Sequence, residues 1–207
     1  MVNHHDNNIH NRTMTLTGQG QITAVPDIAI IHLGVQTTGE NLTAIQSDNA
    51  RMTQSIIQAL QRIGVNNIKT FQYNIDRIFD FENGRQIDRG FSVRNVLEIR
   101  TNNLDMVGNI IDTAVGLGAN VVDLISFDVS NREYYYQQAL NLAVRNAIQK
   151  SKSIAMNLNI TSDPIPMNIV ENSIMPIQPF RRELAATTPI MPGNIIIEAS
   201  VTVDFHY

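Results

Sequence analysis

The sequence predicts an α+β fold. Its core is a ferredoxin-like β-α-β-β-α-β arrangement, one antiparallel sheet with both helices on one face, extended by a long third helix and two C-terminal strands. Three observations carry this. Hydrophobic periodicity over residues 28–129 reads strand, helix, strand, strand, helix, strand. Each of the two helices has a single apolar stripe, as a helix lying on one face of a sheet must. Asn83-Gly84 stands between the two middle strands, where a tight hairpin turn needs residues that tolerate positive φ.

Taken in order, residues 1–12 read as a flexible tail and 13–207 as a single domain, with no tandem repeat and no linker that marks a boundary. Thr13 to Gln19 forms a short first strand, and Gly18-Gln19-Gly20 reads as a bend feeding the sheet. Pro26 holds Val25 extended. From Asp27, Ile28, Ile30 and His32 alternate with Ala29, Ile31, Leu33 and Val35, so the strand is covered on both faces until Gly39 breaks it. Leu42, Ile45, Asn49, Met52, Ile56, Leu60 and Ile63 step by three and four along a helix that Gly64 ends. Ile68 to Phe79 is a strand with Phe71, Tyr73, Ile75 and Phe79 on one face; Phe91 to Arg100 returns as its hairpin partner. Asn102 or Asn103 caps a shorter helix carrying Leu104, Val107, Ile110, Ala114 and Leu117, and Val121 to Val129 completes the core.

Residues 130–207 add the extension. Ser130-Asn131-Arg132-Glu133 has the form of a capping box, starting a helix that runs to about Leu158. Ala139, Ala143, Ala147, Ser151 and Ala155 recur every four residues and form a ridge of small side chains, suited to close packing within the subunit or to a seam between subunits. Ile165 to Met175 is a strand candidate interrupted by Pro166. A proline-rich loop spans 176–193 around Arg181-Arg182-Glu183, and Ile195 to Tyr207 closes the chain with Ile195, Ile197, Ala199, Val201, Val203 and Phe205 on one face.

Composition excludes several function classes. With 207 residues, 43% hydrophobic and 16% charged, the chain has enough apolar material for a core. A formal charge of −4 argues against broad nucleic-acid binding, which wants a basic face. The absence of cysteine removes disulfides, thiolate nucleophiles and thiolate metal sites together. No apolar run is long enough to span a bilayer. The polar N-terminus is not an intact signal peptide, so either the protein stays inside the cell or a leader has been removed.

No cofactor, metal or catalytic residue is assigned. Gly18 and Gly20 lack the third glycine of a dinucleotide loop, since Thr23 holds that place, and a strand follows instead of a helix. His4, His5, Asp6 and His10 sit on a tail without fixed geometry, which makes a poor metal site. His32 and His206 read as structural histidines. Asp76, Asp80, Glu82 and Asp88, interleaved with Arg77, Arg85 and Arg89, do not have EF-hand spacing and read as a solvated hairpin tip. Tyr134-Tyr135-Tyr136 point in three directions, so at least one is exposed or at an interface. Arg181-Arg182 could grip an acidic partner, although a solvated loop is the simpler reading.

These elements together resemble the SIMPL-domain family, whose bacterial members include periplasmic immunogenic proteins and a conserved protein linked to oxidative stress. The resemblance covers 13–207. It rests on Gly18-x-Gly20 with Pro26-Asp27 before a strand, Leu60-x-x-Ile63-Gly64-Val65 before Ile68-x-Thr70, the alanine-stepped helix, and Pro192-Gly193 ahead of Ala199-Ser200-Val201-Thr202-Val203. Phe91 stands where the family pattern has a tyrosine. The resemblance implies an α+β fold and a tendency to form homo-oligomers, and it implies no agreed catalytic residues. The expected function is therefore a non-enzymatic, self-assembling protein of the cell envelope or of oxidative-stress protection. A small-ligand or peptide-binding module would need a cleft between the sheet and the third helix. An enzyme would need His32, an acid and a nucleophile within hydrogen-bond reach.

Overall fold

A computed structural model describes residues 12–172 and 192–207. The described chain contains β1 (Thr13–Ala24), β2 (Ile28–Gly39), α1 (Leu42–Arg62), β3 (Asn67–Glu82), β4 (Arg85–Thr101), α2 (Val107–Gly116), β5 (Val121–Asp128), α3 (Arg132–Asn157), β6 (Ile165–Glu171) and β7 (Ile195–His206). The described residues form two compact units, one of 25–130 with 192–193 and one of 12–24, 131–172 and 194–207.

The first unit is the expected split β-α-β core. Its four strands are antiparallel in the order β3-β4-β2-β5. Strand alternation sends Ala29, Ile31 and Leu33 of β2, with Leu97 and Ile99 of β4, to the helix side. There they meet Ile56 and Leu60 of α1 and Val107, Ile110 and Ala114 of α2, all buried. Burying each aliphatic side chain contributes roughly 1.5–3 kcal/mol, so this layer is the main source of the unit's stability. Asn49 belongs to the α1 stripe because its Nδ2 donates to the carbonyls of Val35 and Val93 at 2.9 and 3.0 Å, satisfying a polar group that would otherwise be costly to bury. Gly64 has φ +90°, and the β3–β4 turn puts Asn83 and Gly84 at φ 51° and 76°, as the sequence requires. The start of α2 differs from expectation. A 3-10 turn, Leu104–Met106, leads into it, and the Asn103 side chain makes no capping hydrogen bond.

The second unit is a three-stranded antiparallel sheet, β1-β7-β6, with α3 lying on it. β1 and β7 pair along their whole length, from Thr13 with His206 to Ala24 with Ile195. The expected inner face of β7 is found: Ile197, Ala199, Val201, Val203 and Phe205 are buried and Ile195 is half-buried. The α3 ridge Ala139, Ala143, Ala147, Ser151 and Ala155 is buried within the chain, which is the packing role and not a seam between subunits.

Two local expectations are corrected. Gly18 and Gly20 do not form a bend, because β1 runs straight through them to Ala24. Their function is to let α3 approach: a Cβ on Gly18 would stand 2.0 Å from the Ala143 carbonyl oxygen, and one on Gly20 would stand 2.0 Å from that of Ala139. Ser130 is not the α3 cap. Asn131 is, and its side chain accepts from the Tyr134 amide at 3.1 Å. Ser130 instead donates through both its amide and its hydroxyl to the Asp27 carboxylate, each at 2.6 Å. β6 is shorter than expected, and of the stretch drawn as Ile165 to Met175, residues 173–175 lie outside the described residues.

Candidate functional site

The face of the four-stranded sheet opposite its helices carries the densest polar cluster. Alternation along β4 turns Leu97 and Ile99 to the core and Glu98 and Arg100 to this other face. The strand register then sets His32 of β2 directly across from Glu98 on one side and Lys69 of β3 across on the other. Glu98 accepts from all three cation-forming neighbours: Arg100 Nε at 2.7 Å, Lys69 Nζ at 3.0 Å and His32 Nε2 at 3.3 Å. Phe71 stacks on the His32 ring with centroids 3.9 Å apart. Burial alone would raise the Glu98 pKa, but the hydrogen bonds from Arg100, Lys69 and His32 outweigh it and hold the group at about 2. Farther along the same face, Arg94 binds Asp123 at 2.6 Å and the Gln36 side-chain oxygen at 2.9 Å.

This cluster is saturated. A carboxylate held at about 2 is a weak base at neutral pH, since general-base work wants a pKa near the working pH. The structure brings together two of the three groups an enzyme reading needs, His32 and an acid. Among the described residues no serine or threonine hydroxyl is hydrogen-bonded to His32. A shallow cavity of about 340 Å³ lies at the end of this sheet, between the turn after α1 and Arg100 to Asn102. The cleft required by a ligand-binding reading of α3 is closed, because the glycine backbones of β1 and the alanines of α3 are in direct contact.

The remaining sequence candidates disperse. His206 is exposed at the end of β7. At the hairpin, Arg77 pairs with Asp88 at 2.7 Å, and Arg89 pairs with Asp80 and Glu82, so these charges satisfy one another on the surface. No group of three metal-ligating side chains occurs among the described residues. Tyr134 is exposed and edge-on to Tyr135, while the Tyr136 hydroxyl donates to Glu171 at 2.5 Å. That hydrogen bond, with partial burial and the nearby negative charge, pushes the Tyr136 pKa up to about 12. His4, His5, Asp6, His10, Arg181 and Arg182 lie outside the described residues.

The large apolar side chains of β3 are exposed. Phe71, Tyr73, Ile75, Phe79 and Phe81 of β3 are open to solvent, from 41% for Ile75 to 72% for Phe81. The reason is topological: β3 is the outer strand of its sheet, and α1 packs over β2 and β4. β6, an outer strand of the other sheet, also exposes Ile165, Met167, Ile169 and Val170. The alternating apolar pattern of 68–79 could not distinguish a covered strand from an edge. The signal that could have done so was the split β-α-β order itself, which places its second strand at the edge.

Comparison with known proteins identifies the family of this chain. Residues 14–205 match the SIMPL family, described as a protein of unknown function (DUF541). The chain is 29% identical to the 26 kDa periplasmic immunogenic protein of Brucella melitensis, over 93% of this chain and 83% of that protein. The same identity and coverage hold for its namesake in Brucella abortus. It is 22% identical to the uncharacterized protein YggE of Escherichia coli, over 91% of this chain and 78% of YggE. With a match that spans both units and nearly all of the described chain, this protein belongs to the SIMPL family.

Proposed function

We propose that the protein is a non-enzymatic, self-assembling component of the bacterial cell envelope. The observation that carries this reading is the outer edge of β3, where five large apolar side chains stand in solvent along a strand that has no second partner among the described residues. Long apolar edges invite pairing with another chain, and native proteins that stay monomeric blunt or cover them. The saturated Glu98 cluster supports the absence of a reaction, since each of its charged members is already engaged. Envelope placement is supported by the relatives described as periplasmic. No helix among the described residues is long and apolar enough to cross a membrane. Light scattering on the purified full chain at micromolar concentration tests the proposal. A mass at least twice 23.1 kDa is expected, and a monodisperse monomer would overturn it.

A further inference from the structure

The four sheet edges formed by the described residues are not equivalent. β1 turns Thr13, Thr15, Gln19 and Gln21 to solvent and is a polar edge. β6 contains Pro166, and its pairing with β7 slips between Pro166 and Asn168, so it is a blunted edge. β5 is short, with Asp123 tied to Arg94. β3 has 16 residues and no proline. Its two irregularities fall between Thr70 and Gln72 and between Arg77 and Phe79, which leaves Gln72–Arg77 as a regular stretch in the middle. That stretch reads Gln-Tyr-Asn-Ile-Asp-Arg, with Tyr73 and Ile75 exposed on one face. The Tyr73 hydroxyl accepts from Gln46 of α1 at 3.2 Å, which orients the ring.

We propose that β3 is an isologous seam. Gln72–Asp76 pairs antiparallel with the same stretch of a second copy about a two-fold axis at Asn74, joining the two sheets into one. This rests on the assembly reading and names its surface. The pairing is self-complementary. Tyr73 faces Ile75 of the second copy, an aromatic–β-branched pair of the kind that stabilises antiparallel strands. Asp76 faces Gln72, so no like charges meet within the paired stretch. Moving the axis to Asp76 or Arg77 would set two like charges directly opposite and is disfavoured. A two-fold contact of this kind closes after two copies, so larger assemblies need a second surface.

The chain has no cysteine, so introduced cysteines report cleanly. Directly opposed residues in antiparallel strands have Cα atoms about 4.5–5.5 Å apart, within disulfide reach. A residue two positions from the axis is about 13 Å from its own counterpart and cannot bridge. Under mild oxidation, full-length Asn74→Cys should give a covalent dimer on a non-reducing gel. Gln72→Cys and Asp76→Cys should each stay uncrosslinked alone and should cross-link when mixed. Ile75→Lys should weaken association at least tenfold, with an unchanged circular dichroism spectrum. If the wild-type chain assembles while Asn74→Cys fails to cross-link and Ile75→Lys still assembles, the seam is refuted and the assembly reading stands. Cross-linking by Ile75→Cys in place of Asn74→Cys refutes the register. A monomeric wild-type chain refutes both proposals.

Discussion

Gly18 and Gly20 show how far a single residue's meaning depends on its partner. In the sequence, two glycines two positions apart suggest a phosphate loop or a bend. In the structure they are the counterpart of the alanine ridge on α3, small facing small so that helix and strand backbones nearly touch. The four-residue alanine spacing was legible, but its target was not, because β1 and α3 are separated by the whole first unit. Gly20→Ala would drive a methyl group into the Ala139 carbonyl and the Ala143 amide, neither of which can move alone. We expect a loss of about 3 kcal/mol or more in urea unfolding. Glu98 gives a second prediction at this scale. Its folded pKa of about 2 lies below the ordinary 4.5, so its contribution is complete above about pH 4.5 and is lost as pH falls toward 2. A shift of this size corresponds to about 3 kcal/mol, and solvent around Lys69 and Arg100 reduces that to about 1–2 kcal/mol. Glu98→Gln should flatten the acid limb of the stability–pH curve by this amount. An unchanged acid limb would show that the cluster contributes nothing. The residues of this cluster are scattered over 32–100, and only the strand register reveals that they meet.

Elements were more legible than their surroundings. The apolar stripe of α1 and the hairpin turn follow from local rules, and the structure has them where the sequence puts them, because each rests on contacts within a few residues. The start of α3 shows the limit of that reasoning. Ser130, Asn131 and Glu133 fit a capping box, but the long-range demand of Asp27 takes Ser130, and Asn131 caps instead. Asn131→Ala should therefore cost about 1 kcal/mol in urea unfolding, as loss of a helix cap does. Ser130→Ala should leave α3 capped, and it should raise the Asp27 pKa, which the Ser130 hydroxyl and amide now hold low. An NMR titration of the Asp27 carboxyl checks this, and an unshifted titration would show that the contact does not persist in solution. β3 was correctly read as a strand, but the irregularity between Thr70 and Gln72 puts Phe71 on the His32 side and Tyr73 on the α1 side, so the two do not share the face expected of them. A strand's period of two shows which side chains share a face only where no bulge interrupts it, and it does not show whether anything lies on that face.

At the scale of the whole molecule, residues 25–130 form the body of the first unit, and the second is assembled from segments on either side of that stretch. We propose that the two unfold together as the single domain the sequence suggested. Bringing β1 to α3 means closing a loop through residues 25–130, at an entropic cost on the order of 4 kcal/mol if that loop is a flexible chain. Folding of the first unit, with Asp27 and Ser130 hydrogen-bonded where its chain enters and leaves, removes most of that cost. Calorimetry should then show one transition, and a second unit that outlasts the first would contradict the coupling. The same scale carries the central claim, that the bare β3 edge exists to be paired. Native mass spectrometry of the intact chain tests it most directly. The account predicts an even multiple of 23.1 kDa as the dominant species at micromolar concentration, and a spectrum containing only the 23.1 kDa monomer would contradict it.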